Sequence, residues 1–208
     1  MWFVNANVID VLTGERLRGL TVETAPDGTI AQVAAAPPPG LTGPTGAAAG
    51  GVVDVAGRWL LPGLISCHTH LSIVFGETDE AENPALTAYR AATRATEALQ
   101  AGVTTVRCVH EQNRADLLLR IAVGRGWYQA PRIFGAGRAV STPGGHGAGG
   151  GCAYAAGLLG IGDHVGQVRP GYVADFVAVA SDPLDDLASM RTISLVVQGG
   201  RVVREDAA

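Results

Sequence analysis

The sequence predicts an α/β fold class, and three observations predict it. Residues 63–134 alternate short apolar runs with longer helical ones, in the order strand, helix, strand, helix, strand. That rhythm belongs to a parallel sheet or barrel. Both flanks, by contrast, read as strands and turns alone. With 208 residues and an apolar fraction of 47%, the chain can bury a sizeable core.

The elements follow in order. Trp2 to Ile9 is rich in β-branched and aromatic residues and ends at a turn over Thr13-Gly14-Glu15. Leu20 to Thr24 and Ile30 to Val33 flank Pro26-Asp27-Gly28, a hairpin signal. Ala34 to Gly51 is a low-complexity stretch of Ala, Pro, Gly and Thr, read as a flexible loop. Val52 to Val55 and Trp59 to Leu61 resume the strands. Gly63 to His70 is the first strand of the α/β segment. A helix follows over about Asn83 to Ala101, where Ala88, Ala91, Ala92, Ala95 and Leu99 recur at helical spacing and Gly102 suits the C-terminal cap. Val103 to Val106 is a second strand, Ala115 to Val123 a second helix ending at Gly124, and Arg132 to Phe134 a third strand. The glycine run from Gly144 to Gly151 cannot hold a regular element and ends the rhythm. A short helix around Tyr154 to Leu159 precedes strands at Asp175 to Val179, Ile193 to Val197 and Arg201 to Val203, the last two joined by Gly199-Gly200.

Composition narrows the function. Net charge is −4 and the 15 basic residues are scattered, so no basic stripe addresses a nucleic acid. Arg58, Pro62 and repeated glycines break the apolar stretches, so none predicts a membrane span. The N-terminus lacks the basic start and cleavage site of a signal peptide, and a cytoplasmic protein is expected. Cys67, Cys108 and Cys152 are widely spaced, against a disulfide framework or zinc knuckle. All 15 basic residues are arginine, and the chain has no lysine.

The sharpest chemical feature is His68-Thr69-His70. In a strand, residues i and i+2 share a face, so the two imidazoles can converge on one divalent cation. Cys67 and Thr69 then point the other way, into packing. The pair lies at the end of the first α/β strand, where barrels carry their reactive groups.

Leu61-Pro62-Gly63-Leu64-Ile65-Ser66-Cys67-His68-Thr69-His70-Leu71 resembles the segment that opens the barrel in the amidohydrolase superfamily. Ala101 to Arg107 is similar to that family's second barrel strand. Ala130 to Phe134 with Ser141 to Gly147 resembles the third strand and its loop in imidazolonepropionase-related and prolidase-like members. Gly157 to Gly160, Gly166 to Asp175, Asp182 to Leu184 and Val197 to Val203 look like the closing segment. The resemblance implies a (β/α) barrel of the TIM type, here partial, inserted in a small β-sandwich formed by both chain ends. Residues 1–61 with 165–208 would form the sandwich, and 62–164 the shortened barrel. It further implies zinc or another divalent metal, with His68 and His70 matching the first two ligands, and hydrolysis of an amide, peptide or lactam C–N bond by metal-activated water. His146 of the Gly-Gly-His-Gly loop is the candidate substrate-binding residue.

The sequence departs from that family after His146. Gly63 to Gly160 holds fewer than half of the roughly 200 residues of the smallest such barrels. The strands that bring the family's later ligands (a carboxylated lysine or a glutamate, two histidines and an aspartate) have no counterpart, and no lysine exists to be carboxylated. Asp163 and Asp175 are read as turn and cap residues, His164 as an ordinary loop residue, and His110 as part of a solvated loop. Glu77, Asp79, Glu80 and Glu82 are read as a solvated acidic run, and Cys67 and Cys108 as small buried residues. The expected function is a metal-dependent amidohydrolase impaired by missing ligands, acting on a small amide or dipeptide-like substrate. The alternative is an inactive remnant or small binding module. A half-barrel leaves open edges, which a homo-oligomer would cover.

Overall fold

The structure is a computed structural model that describes residues 1–37, 41, 51–74, 83–137, 161 and 163–206. The chain divides into two compact units, Met1–Leu64 with Ala156–Ala208, and Ile65–Ala155. No helix among the described residues is long and apolar enough to cross a membrane.

The first unit is built by both chain ends. From the N-terminal part come β1 (Trp2–Ile9), β2 (Arg16–Thr24), β3 (Ile30–Ala34), β4 (Val52–Asp54) and β5 (Trp59–Pro62). The C-terminal part supplies β9 (Phe176–Val179), β10 (Ile193–Gln198) and β11 (Arg201–Glu205). They form one eight-stranded sheet in the order β11-β10-β9-β5-β1-β2-β3, with β4 also on β1. The junction of the two ends is the antiparallel pair β5–β9, which sets Leu60 opposite Ala178 and Pro62 opposite Phe176.

A small β-sandwich of both chain ends was expected; the described strands of both ends form one hydrogen-bonded sheet that curls over its own core. Ile30 donates to the Tyr172 carbonyl at 2.7 Å, and Ala174 to that of Gly28 at 2.9 Å, so the β3 edge meets the segment leading into β9. Gly28 has φ of +86°, and a Cβ there would sit 2.6 Å from the Gly199 carbonyl oxygen, so the approach needs glycine. One cluster fills the inside, including Phe3, Val22, Leu60, Phe176, Leu195 and Val197. The rings of Phe3 and Phe176 meet edge to face, 4.9 Å between centroids.

The second unit keeps the predicted rhythm. β6 (Leu64–Thr69), β7 (Val103–Cys108) and β8 (Arg132–Gly135) form a three-stranded sheet in that order, β7 and β8 running parallel. Between them lie α1 (Pro84–Gln100) and α2 (Ala115–Gly124). Asn83 caps α1 by accepting from the Ala85 N–H at 2.9 Å, and Pro84 occupies the first turn, where its missing N–H costs nothing. The buried face of α1 is Thr87, Ala91, Ala92, Ala95 and Leu99, the helical spacing read in the sequence with Thr87 in place of the half-buried Ala88. Gly102, at φ +90°, follows α1. After α2 the positive φ falls to Gly126 rather than Gly124.

Among the described residues the strands do not close into a barrel. The expected helix at 154–159, the glycine run, His146 and the acidic run at 77–82 lie outside the described residues.

Candidate metal centre

His68 is the fifth residue of β6 and is exposed, while His70, just past the strand end, is half-buried. Their rings lie on one side of the strand, 5.2 Å between centroids and inclined at 76°. Two imidazoles bound through a ring nitrogen to one tetrahedral cation, at Zn–N near 2.0–2.1 Å, have centroids about 5 Å apart. The separation therefore fits a shared divalent ion.

The ring of His70 is anchored from the neighbouring strand. Its Nδ1 lies 2.9 Å from the His110 carbonyl oxygen. A carbonyl can only accept, so Nδ1 carries the proton and Nε2 keeps its lone pair for a cation. A histidine ligand oriented by a backbone carbonyl in this way is a common feature of metal sites. His110 is thus half-buried and engaged rather than part of a solvated loop, which corrects the sequence reading.

Behind the pair is a buried carboxyl group that the sequence did not single out. Glu111 is fully buried. Its oxygens accept from the Leu71 N–H at 2.5 Å, from the Ser72 N–H at 2.6 Å and from the Ser72 hydroxyl. The Ser72 Oγ in turn accepts from the Gln112 N–H at 2.9 Å. The carbonyls of the same stretch go to α1: Arg90 reaches Ser72 O at 2.8 Å, and Arg94 reaches Ile73 O at 2.7 Å. The irregular chain after His70 thus has its N–H groups on an acid and its carbonyls on arginines. Nothing local announces this, because Glu111 and its partners stand about forty residues apart.

A second buried acid ties the end of β8. Asp116 accepts from the Leu117 N–H and the Gly137 N–H, each at 2.8 Å. A Cβ on Gly135 would fall 2.7 Å from its Oδ2. Between the two acids sits Cys108, fully buried as expected, whereas Cys67 is half-buried. Burial pushes the Cys108 thiol well above its ordinary range, and the charges of Glu111 and Asp116 add to that.

Among the described residues no group of three or more His, Cys, Asp or Glu is arranged to hold a metal. The pair fits a cation as part of a ligand set, and the described residues supply no third side chain for it. Asp175, read in the sequence as a turn and cap residue, is buried and accepts from the Gly199 N–H at 2.8 Å, 24 positions away.

Residues 59–148 match the profile of the Amidohydrolase family. An imidazolonepropionase of Hyphomonas neptunium is 41% identical over 61 residues, and that alignment takes in 29% of this chain and only 15% of the relative's length. A crystal structure described as a prolidase from Bifidobacterium longum aligns with a TM-score of 0.77 at 16% identity, spanning 100% of this chain and 96% of that one. A prolidase complexed with N-methylphosphonate-L-proline aligns with a TM-score of 0.80 at 14% identity, spanning 99% of each chain. At these identities the structural likeness speaks to the fold.

Proposed function

We propose that this chain, whose residues 59–148 match the Amidohydrolase family, holds one divalent cation on His68 and His70, zinc being the first choice, and that the reaction class is hydrolysis of a C–N bond. The substrate is a small amide, a dipeptide-like compound or a lactam; one structural relative binds a proline phosphonate. A bound cation supplies a Lewis acid and an acidified water. The observation that carries the reading is the His70 ring, fixed in its Nδ1–H tautomer by the His110 carbonyl beside the His68 ring.

A second reading has its own support. Among the described residues two imidazoles are one fewer than the three protein ligands of ordinary catalytic zinc sites, and a chain without lysine offers no residue to carboxylate. This favours a remnant that binds metal and does not turn over.

Metal analysis of the purified protein separates the readings. One equivalent of zinc, lost in His68→Ala/His70→Ala, is the expected result, and absence of bound zinc at saturating concentration would sink the metal site. Dipeptide or lactam hydrolysis that disappears in the same variant supports the hydrolase. Bound zinc without turnover leaves the remnant.

A further inference from the structure

We propose that Glu111 is the positioning residue of the His68–His70 pair, its buried carboxylate fixing the chain that follows His70 so that the ring meets the His110 carbonyl. Consecutive residues grip consecutive residues. The His110 carbonyl takes the His70 ring, and the Glu111 side chain takes the N–H groups of Leu71 and Ser72 together with the Ser72 hydroxyl. Glu111 is itself held, its N–H donating to the Gly137 carbonyl at 2.8 Å beyond β8. One residue therefore ties together the chain ends beyond β6, β7 and β8.

The donors around Glu111 call for two accepting oxygens at this point. Three donors face two oxygens in a site closed to water, and a carboxylate accepts from all three without offering a proton. Glutamine would turn an NH₂ group toward one of those donors, leaving it buried and unmade, which is the expensive way to lose a hydrogen bond. The segment would shift to satisfy itself. His70 precedes Leu71 directly, so its backbone angles would move with it. A group that merely stabilised the fold would leave the ring's tautomer alone; a group that positions the ring would not.

The test uses the full chain labelled with ¹⁵N histidine, at a pH above the ordinary imidazole value of about 6.5. In the wild-type protein His70 is expected as a single Nδ1–H tautomer. In Glu111→Gln, shown to be folded by circular dichroism, that signal gives way to a tautomer mixture. Zinc affinity, read by competition with a chromophoric chelator, falls about 10–100-fold, the usual cost of losing an outer-shell partner. A folded Glu111→Gln that keeps both the wild-type tautomer and the wild-type zinc affinity would overturn the assignment. Where Glu111→Gln does not fold, Ser72→Ala decides: it removes one of the three donors, and a smaller change in the same direction supports the proposal while none overturns it. The affinity measurement rests on the reading of His68 and His70 as ligands. If the wild-type chain binds no zinc, that reading fails and the tautomer alone decides the role of Glu111.

Discussion

A neutral histidine presents one fixed lone pair only when something chooses its tautomer, and at His70 that choice is made by a backbone carbonyl 2.9 Å away. Behind it, Cys108 shows the cost of placing ionisable groups close together in a dry site. Desolvation first, and then the charges of Glu111 and Asp116, keep its thiol neutral far above the ordinary value of 9.0. The sign of the linkage follows from that direction. The folded-state value is raised, so the contribution to stability is fully present below about pH 9 and is lost as pH rises, when the unfolded thiol ionises and the buried one does not. Urea unfolding midpoints are therefore expected to fall more steeply with alkaline pH in the wild-type protein than in Cys108→Ala. Parallel slopes would contradict it.

At the scale of elements, α1 is specified locally and the β7–α2 connection is not. Asn83, Pro84 and the alanine spacing set the start, first turn and buried face of α1. Asn83→Ala removes the side-chain cap at that end and is expected to cost about 1 kcal/mol, measured by chemical denaturation; a change within error would mean that another group caps the helix. Before α2 the chain instead runs through a short 3-10 turn over Gln112–Arg114, with Asn113 and Arg114 at φ of +51° and +55°. Two successive non-glycine residues in the left-handed region are an uncommon local choice. They are compensated by contacts that hold the loop, among them Asn113 Nδ2 to Thr87 Oγ1 at 3.0 Å. No periodicity or turn signal in Glu111-Gln112-Asn113-Arg114 foretells that arrangement.

Across the whole molecule, the two chain ends are joined in one sheet, and Phe3 against Phe176 is the side-chain expression of that joining. Both rings are fully buried, so Phe176→Ala removes an aromatic from the middle of the core and is expected to cost about 3–5 kcal/mol. The double variant with Phe3→Ala should lose less than the sum of the single losses, because each ring is the other's partner. Thermal or urea unfolding of the three variants checks this, and strict additivity would show that the contact carries no energy of its own.

How much of this was legible can be read from particular residues. The sequence alone determined the strands on both flanks, the β6-α1-β7-α2-β8 order and the placing of His68 and His70 on one face, because each depends on a period of two or of 3.6 residues, or on a nearby turn. Tertiary structure alone decided that β9 lies against β5, that the strands of both chain ends join in one curled sheet, and that Glu111 and the His110 carbonyl hold the chain at His70. Those contacts join residues from about forty to more than a hundred positions apart. Their partners are chosen by which buried donors need an acceptor once the strands have come together, and no local pattern encodes that choice.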